Sequence, residues 1–511
     1  MGWQLDKKKM FEPRLGVAYQ LNPKTVIRAG YGRSFDIGVF GSVFGHVVTQ
    51  NLPVLANQSI SNGGVATAQA FCIGSPADNP GCDPTNNGSS QPAGGGPLLY
   101  TPVSVPSDGL LPNPGALVNT KARPNPMRFP TLDAWNATVQ RALTSSLTLT
   151  VAYVGNKGTH SLVDGDGNNT NPNEAALTLP GSYSVNGQTL HWDPTAGSTP
   201  NANGGTSNSK YLTRYYGGKL QACSDPNYSQ PTGDPLLQAG QCGWTQGISF
   251  YGDDQNTHFN ALQVTLAQQT WHGLNANFNY QYAHANDFQG TYNTWDKSVA
   301  FSNDSNVRHH SATLYGSYSL PVGKGKQFLT GANHLTDLIV GGYELSGTMN
   351  VSSGLPFSLS GDCSTNVDGT NYSDLSNGPC HPNQTHGLST KLSSFVPGSG
   401  WTYYAQQGTR DPVTNVFTYS NGFSDAGIGK IGNSGNNTAW GPSFFNTDLS
   451  IQKSFNIWEH VDTKFRMDAV NAVNHINPGN PGGNITSAGS ITGEAPGPGP
   501  RQLEFSLKLT F

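Results

Sequence analysis

Apolar and polar residues alternate one by one along segments of about ten residues. Between residues 274 and 282, Leu274, Phe278 and Tyr282 lie on one face, while Asn277 and Gln281 lie on the other. A period of two places successive side chains on opposite faces of a β-strand and does not fit a helix. Residues 147–153 and 262–267 repeat the pattern. About ten residues is also the length that a tilted strand needs to cross a bilayer.

The alternation predicts eleven strands, at residues 13–20, 24–34, 131–143, 146–155, 257–270, 272–286, 307–320, 335–352, 443–455, 461–474 and 501–511. Short connections, including a Gly/Lys stretch after Pro321, take turns with long ones at 35–130, 156–256, 287–306, 353–442 and 475–500. Short periplasmic turns and long extracellular loops are typical of bacterial outer-membrane barrels. We therefore predict an all-β fold, an antiparallel up-and-down transmembrane β-barrel with long extracellular loops.

The last strand alternates without interruption up to an aromatic C-terminal residue. Its apolar positions are Leu503, Phe505, Leu507, Leu509 and Phe511. A soluble β-protein usually ends in a frayed polar tail instead. The pattern resembles the sorting signal that the outer-membrane barrel assembly machinery reads. We therefore predict that these five residues form a C-terminal assembly signal, with that machinery and outer-membrane lipid as partners.

The composition supports a barrel and excludes several other classes. Charged residues make up 11% of the chain, against roughly 25% in ordinary soluble domains, and there are 63 glycines. The net charge of −4 gives no electrostatic footprint for nucleic acid. We find no run of about 18 apolar residues that would form a transmembrane helix. The first residues also lack the basic and apolar regions of an export signal.

Six cysteines fall into three local pairs within Gly-, Pro- and Asn-rich stretches. The pairs are Cys72 with Cys82, Cys223 with Cys242, and Cys363 with Cys380. Zinc would favour tighter Cys-x-x-Cys spacing and nearby histidines. Six cysteines allow 15 connectivities, so the pairing is an inference. We expect three loop-closing disulfides, which form in an oxidising compartment.

Two groups of residues could be interpreted as metal or acid–base sites. They are Arg308-His309-His310, and His258 near Asp253-Asp254. We favour a role at strand ends and in loops for both. Residues 164–168 (DGDGN) resemble the start of a calcium loop, but the sixth and twelfth positions hold Asn169 and Ala175, where an EF-hand needs Gly and Glu. We therefore expect no metal, no cofactor, no catalytic residues and no enzyme activity.

Aromatic residues fall into two sets. Those near strand ends fit the interfacial girdles of a barrel; they are Tyr31, Phe35, Trp135, Tyr153, Trp271, Tyr282, Trp458 and Phe511. Those in the long loops could stack on a sugar or siderophore, although loop packing explains them equally well; they include Trp192, Tyr215, Tyr216, Trp244 and Trp401.

Several motifs recur in a fixed order along the chain. They are residues 11–19 (FEPRLGVAY), 26–33 (VIRAGYGR), 135–141 (WNATVQR), 152–160 (AYVGNKGTH), 320–326 (LPVGKGK), 353–357 (SGLPF), 448–455 (DLSIQKSF) and 471–475 (NAVNH). Together they resemble TonB-dependent receptors of the Oar-like type. The resemblance implies a 22-stranded barrel, an N-terminal plug and a segment that contacts TonB.

The odd number of predicted strands suggests that residues 1–511 are the C-terminal portion of a longer barrel. Single-chain bacterial barrels have an even strand count and periplasmic termini. We expect the plug, the TonB segment and the signal peptide to lie outside this chain, so that TonB would act only through those missing N-terminal parts.

The resemblance implies uptake or binding of a bulky ligand, such as a carbohydrate or a siderophore, at the outer membrane. Two alternatives remain. A passive porin or surface adhesin barrel would share the same composition, and a soluble secreted carbohydrate-binding β-protein would need no membrane.

Deleting Phe511 should sharply reduce the amount of assembled barrel in the outer membrane, because the final strand would lose its terminal aromatic residue. Immunoblotting of outer-membrane fractions measures this effect. Unchanged levels would contradict the predicted assembly signal.

Overall fold

The computed structural model describes residues 10–36, 120–124, 126–161, 181–185, 188–192, 205–206, 248–250, 252–288, 301–361, 381–412, 417–424, 432–458, 461–497 and 499–510. Each of the eleven predicted strands has a counterpart, and all but the one predicted at 335–352 match to within a few residues. They are β1 (Arg14–Asn22), β2 (Thr25–Phe35), β3 (Thr131–Ala142), β4 (Leu147–Ser161), β5 (Gln255–Trp271), β6 (Leu274–Phe288), β7 (His310–Ser319), β8 (Tyr343–Ser352), β9 (Phe444–Trp458), β10 (Val461–Val470) and β11 (Gln502–Thr510).

These strands form one large antiparallel sheet in which each strand pairs with the next along the chain. Connections of only a few residues join β1 to β2, β3 to β4, β5 to β6 and β9 to β10, and residues 320–342 join β7 to β8 at the same end of the sheet. The other five connections, which are longer, lie at the opposite end. A further short strand, Phe301–Asn303, pairs with β6. Strands β1 and β11 are the two edges of the sheet, and within the described part of the chain they do not pair with each other.

The remaining short strands belong to the long connections. Thr120–Ala122 pairs in parallel with Ile248–Phe250, and Gly181–Val185, Gln188–Trp192 and Gly205–Thr206 form a small sheet. Antiparallel pairs join Pro356–Phe357 to Ala439–Trp440, Asn383–Gln384 to Phe423–Ser424, Trp401–Thr402 to Ser490–Ile491, and Gly408–Arg410 to Phe417–Tyr419.

The cross-strand register gives the sheet two chemically different faces. On one face Gln263 pairs with Gln281 and Thr265 with Asn279; on the other, Leu266 pairs with Phe278. The outward apolar side chains keep large exposed fractions, for example 40% for Leu314 and 52% for Leu449. A soluble protein rarely exposes a continuous apolar surface of this extent. The apolar face is therefore the one that meets lipid.

The predicted strand 335–352 was wrong over its first part. Residues His334–Val340 form a short helix, α1, and the strand begins at Tyr343. The side chain of Asn333 caps the helix by accepting a hydrogen bond from the backbone N–H of Thr336, at 2.8 Å. Apolar residues stand next to each other in this segment, so the alternation that fixes a strand face is missing. Across the described residues, no helix has the length and apolar character to span a bilayer.

Replacing Leu314 with Arg should destabilise the folded protein by about 2–4 kcal/mol, because this side chain projects into the lipid near the middle of β7. Its neighbour Tyr315 lines the polar face, so Tyr315→Arg is the matched control and should destabilise far less. Urea unfolding in lipid bilayers measures both variants. Equal destabilisation at the two positions would contradict the assignment of faces.

Candidate functional site

Neutral hydrogen-bonded pairs line the polar face of the sheet. Gln263 Nε2 donates to Gln281 Oε1 at 3.0 Å, and Thr265 Oγ1 donates to Asn279 Oδ1 at 2.9 Å. These groups surround a recess of about 340 Å³ that Ser311 also lines. Paired amides and hydroxyls satisfy one another and still present donors and acceptors to a passing solute. The arrangement suits contact with water and polar ligands without selecting strongly for charge.

A second recess of about 670 Å³ lies further along the same face and carries charge. Asp448, Asp468, Glu504 and Arg466 line it, which makes three carboxylates and one guanidinium. Arg466 Nη2 lies 2.7 Å from Asp468 Oδ1, and Asp448 Oδ1 accepts a hydrogen bond from the backbone N–H of Asn471 at 2.9 Å. The surplus of carboxylates gives this part of the wall a negative potential, which favours cationic groups over anionic ones.

The long connections β8–β9 and β10–β11 pack together into a unit that we call the cap, residues 353–361, 381–412, 417–424, 432–443 and 471–497. Its core holds Phe357, Leu359, Tyr404, Phe423, Ala439 and Ile485. The rings of Phe357 and Tyr404 stack with centroids 6.3 Å apart. The Tyr404 hydroxyl donates to Gly482 O, and burial raises the pKa of this phenol to about 12. The cap therefore has its own apolar core, which β-strand periodicity did not predict.

Two asparagine contacts fix the cap on the wall. Asn303, in the short strand beside β6, donates through Nδ2 to Asn437 O, and Asn437 Nδ2 donates back to Asn303 O, both at 2.8 Å. The side chain of Asn477 accepts a hydrogen bond from the backbone N–H of Phe445, at the start of β9, at 2.8 Å, and donates to the backbone carbonyl of the same residue at 2.9 Å. Each contact thus ties a segment of the cap to the backbone of a strand residue. The cap is placed by backbone recognition, so its position over the wall is well defined.

Asp253 forms an ion pair with Arg128 and not an acid–base site with His258. Arg128 Nε and Nη2 donate to its two carboxylate oxygens at 3.1 and 3.0 Å, and the backbone N–H of Arg128 donates at 2.6 Å. Burial opposes ionisation of Asp253, but the hydrogen bonds and charge of Arg128 outweigh it and hold the pKa of Asp253 below its ordinary value. The nearby His258 contacts Asn260. The pair therefore joins the segments ahead of β3 and β5.

His309 and His310 lie in an aromatic cluster at the long-connection end of β7. The His309 ring lies 3.9 Å from that of Trp440, between centroids, and 5.6 Å from that of His284. Burial, followed by the charges of His284 and His310, lowers the pKa of His309. Within the described ranges, no group of three or more His, Cys, Asp or Glu residues could hold a metal ion. Residues 164–168 lie outside those ranges.

A two-faced antiparallel sheet with short turns at one end and a built cap at the other is the architecture of a membrane barrel. The family model described as "Outer membrane beta barrel domain" matches residues 2–504. This chain belongs to the outer membrane beta barrel domain family. Its location is therefore the bacterial outer membrane, with the cap on the extracellular side and the short turns in the periplasm.

Solved structures similar to this barrel domain include outer-membrane receptors and a transporter. The siderophore receptor PiuA from Acinetobacter baumannii is 8% identical, with a TM-score of 0.34, over 98% of this chain and 35% of that one. The ferripyoverdine receptor of Pseudomonas aeruginosa is 10% identical, with a TM-score of 0.33, over 97% and 32%. The transporter YddB from Escherichia coli is 6% identical, with a TM-score of 0.36, over 96% and 39%. The chain thus spans about a third of the length of these structures. No curated protein matches it.

The structure locates only some of the residues predicted to be functional in the barrel domain. Leu503, Phe505, Leu507 and Leu509 all point outward and are exposed on β11. Trp401 is 8% exposed and its ring packs on Phe395, with centroids 4.7 Å apart, so it offers little surface to a ligand. The backbone of Trp192 lies in a short strand. The remaining predicted positions lie outside the described residues; they are Tyr215, Tyr216, Trp244, Phe511 and the six cysteines.

Replacing Asp253 with Asn should loosen the extracellular end of β3 and β5 by about 1.5–3 kcal/mol at pH 7, the range for hydrogen bonds to charged groups. Because the folded-state pKa of Asp253 is lowered, its contribution is present above the ordinary carboxyl pKa and is lost as pH falls through the folded-state value. Limited proteolysis across pH 7 to 3 measures this. Wild type and variant should converge in acid, and Arg128→Lys should have an intermediate effect at pH 7. A constant difference between wild type and Asp253→Asn at every pH would contradict the ion-pair role.

Proposed function

We propose that this barrel domain is part of the wall of an Oar-like, TonB-dependent outer-membrane receptor that takes up or binds a bulky ligand such as a carbohydrate or a siderophore. The observation that carries the proposal is the width of the sheet. Eight strands are enough to close a barrel whose interior is filled by side chains. Here eleven consecutive strands pair in order, and in the part of the chain that the structure describes β1 and β11 do not pair with each other. Because barrel diameter grows with strand number, a wall of at least eleven strands belongs to a wider lumen, which suits a large ligand.

The open edges of the sheet support a larger barrel, and the resemblance to TonB-dependent receptors implies that it has about 22 strands. A backbone N–H or C=O without a partner in lipid costs several kcal/mol. Among the described residues, β1 and β11 each have one edge without a neighbouring strand, and that edge presents a row of such groups. We infer that further strands cover both edges, that residues 1–511 form the C-terminal portion of the barrel, and that a plug and a TonB-contacting segment belong to the rest. TonB would act on the domain only through those parts.

The polar face and the loops provide the ligand-binding chemistry of this proposal. The side-chain pairs on the polar face, such as Gln263 with Gln281, offer neutral hydrogen bonds to a ligand that passes along the lumen. In the extracellular connections, Trp192, Tyr215, Tyr216 and Trp244 supply flat rings for stacking, and we infer that the pairs Cys72–Cys82, Cys223–Cys242 and Cys363–Cys380 close loops as disulfides. We assign the domain no catalytic role.

The uptake experiment compares an energised receptor with a passive pore. The protein, expressed from its native gene, is tested for binding of a panel of ferric siderophores and oligosaccharides, and then for uptake of the labelled compound that binds. Uptake should stop when a protonophore collapses the proton-motive force, and the purified protein should give no steady ion conductance in planar bilayers. Energy-independent uptake together with a steady open-pore conductance would identify a passive porin and overturn the proposal.

Absence of uptake despite correct assembly would indicate a surface adhesin barrel, and it too would overturn the proposal. Correct assembly is checked separately by heat-modifiable mobility in gels. The soluble secreted alternative is not compatible with membership of an outer-membrane family.

A further inference from the structure

One periplasmic connection differs from the other four. Residues 320–342, between β7 and β8, contain α1, whereas the turns after β1, β3, β5 and β9 are only a few residues long. This connection exposes four large apolar side chains: Phe328 (56%), Leu329 (53%), Leu335 (70%) and Ile339 (68%). Such a cluster at the membrane boundary needs an explanation, because turns there are normally polar and short.

The exposure does not come from an irregular chain, because the connection is held together by hydrogen bonds. The backbone N–H of Lys324 donates to Asp337 Oδ1 at 2.6 Å, which ties the loop to α1. The backbone N–H of Gly323 donates to Phe328 O at 3.0 Å and closes the loop on itself. Leu335 and Ile339 are one helical turn apart and therefore lie on the same face of α1. The four apolar side chains are thus presented by a folded unit.

Leu329 is unusual in its backbone conformation as well. Its φ of +59° lies in the left-handed region. A non-glycine residue in this region is strained, because its Cβ lies close to the following carbonyl oxygen, and Gly or Asn would make the same turn with less strain. The turn itself therefore does not explain why a leucine stands at this position. The choice of leucine would be explained by an apolar environment outside the protein in which its side chain is buried.

Lys453 places the end of α1 on the outer side of the wall. Lys453 in β9 pairs with Tyr343 in β8. Both side chains lie on the lipid-facing side of the sheet, together with those of Leu345 and Ile451. Lys453 Nζ donates to Gly341 O at 2.7 Å and to Ile339 O at 3.2 Å, and it lies 4.1 Å from the centroid of the Tyr343 ring. The C-terminal end of α1 is therefore continuous with the surface that the barrel presents to lipid.

Charge and aromatic residues at the same level agree with a lipid boundary. Lys324 and Lys326 are exposed beside the apolar side chains and suit anionic headgroups. Trp271, the last residue of β5 at the same end of the sheet, is 55% exposed, as an interfacial tryptophan would be. Apolar side chains on one face with lysines beside them are the pattern of segments that lie in the membrane interface.

We propose that α1 and the loop at residues 324–330 form an interfacial anchor that inserts Phe328, Leu329, Leu335 and Ile339 into the periplasmic phospholipid leaflet. The anchor fixes the depth of β7 and β8 in the membrane. The inference depends on the outer-membrane location of the family and not on the transport proposal.

Photo-crosslinking tests the occupant of this surface directly. A benzophenone amino acid is placed at position 335 or 339 of the protein in its native outer membrane, and at His334 as a control, which is exposed on a different side of the same helix. Mass spectrometry should find phospholipid adducts at 335 and 339 about fivefold above those at 334, in line with an apolar face buried in the interface. Adducts to a protein, or lipid adducts no more frequent than at 334, would overturn the proposal.

A second measurement uses a double variant whose barrel can be checked independently. Leu335→Gln combined with Ile339→Gln should leave the heat-modifiable barrel intact, with Gln327→Ser as the matched control. In nanodiscs of phosphatidylethanolamine and phosphatidylglycerol, trypsin should cleave after Lys324 and Lys326 several-fold faster in the double variant than in wild type or the control. Equal cleavage rates would overturn the anchor.

Discussion

The constraint on which the wall depends is that lipid cannot form hydrogen bonds with the backbone. Every N–H and C=O within the hydrocarbon must find a partner in the protein, and a continuous antiparallel ladder provides one. The ladder from β1 to β11 runs strand to neighbouring strand in chain order. Once the ladder is fixed, the period of two decides which way each side chain points. Of two successive residues in a strand, one faces lipid and the other faces the lumen. The sequence needs little charge because amides and hydroxyls suffice on the lumen side.

Outside the bilayer a different set of rules applies. The cap is stabilised as a small soluble unit would be, by an apolar core around Leu359 and Ile485 and by satisfied polar groups. The Arg128–Asp253 pair and the reciprocal Asn303–Asn437 contact hold segments together at the extracellular rim. The periplasmic end contrasts with this, because four of its connections are short and the fifth folds into α1 with apolar side chains outward. The structure therefore differs with its depth in the membrane. The strand ladder lies within the bilayer, the cap lies on the extracellular side, and the short connections and α1 lie on the periplasmic side.

The strands could be predicted because alternation is a local signal and the ladder adds only pairing between neighbours. The segment at residues 335–342 was predicted wrongly because its adjacent apolar residues carry no strict period, and the Asn333 cap decided for helix. The cap could not be predicted, since its contacts join distant positions; Tyr404 and Gly482, for example, are 78 residues apart. For the same reason the partner of Asp253, 125 residues away, was not identifiable from sequence. Trp401 was predicted to contact a ligand because of its residue type alone. Its side chain is buried by packing within the cap, and such packing cannot be seen in a single sequence.

The central claim is that one sheet separates lipid from a polar lumen, with successive side chains of each strand pointing alternately to lipid and to the lumen. Footprinting of β6 with a lipid-soluble carbene reagent, applied to the protein in native outer membranes, tests it most directly. Phe278 and Tyr282, which are exposed on the outer face, should be labelled, whereas Asn277, Asn279 and Gln281 should be protected from this reagent and accessible to water-borne hydroxyl radicals. Labelling of both sets by the lipid-soluble reagent, or of neither, would contradict the account.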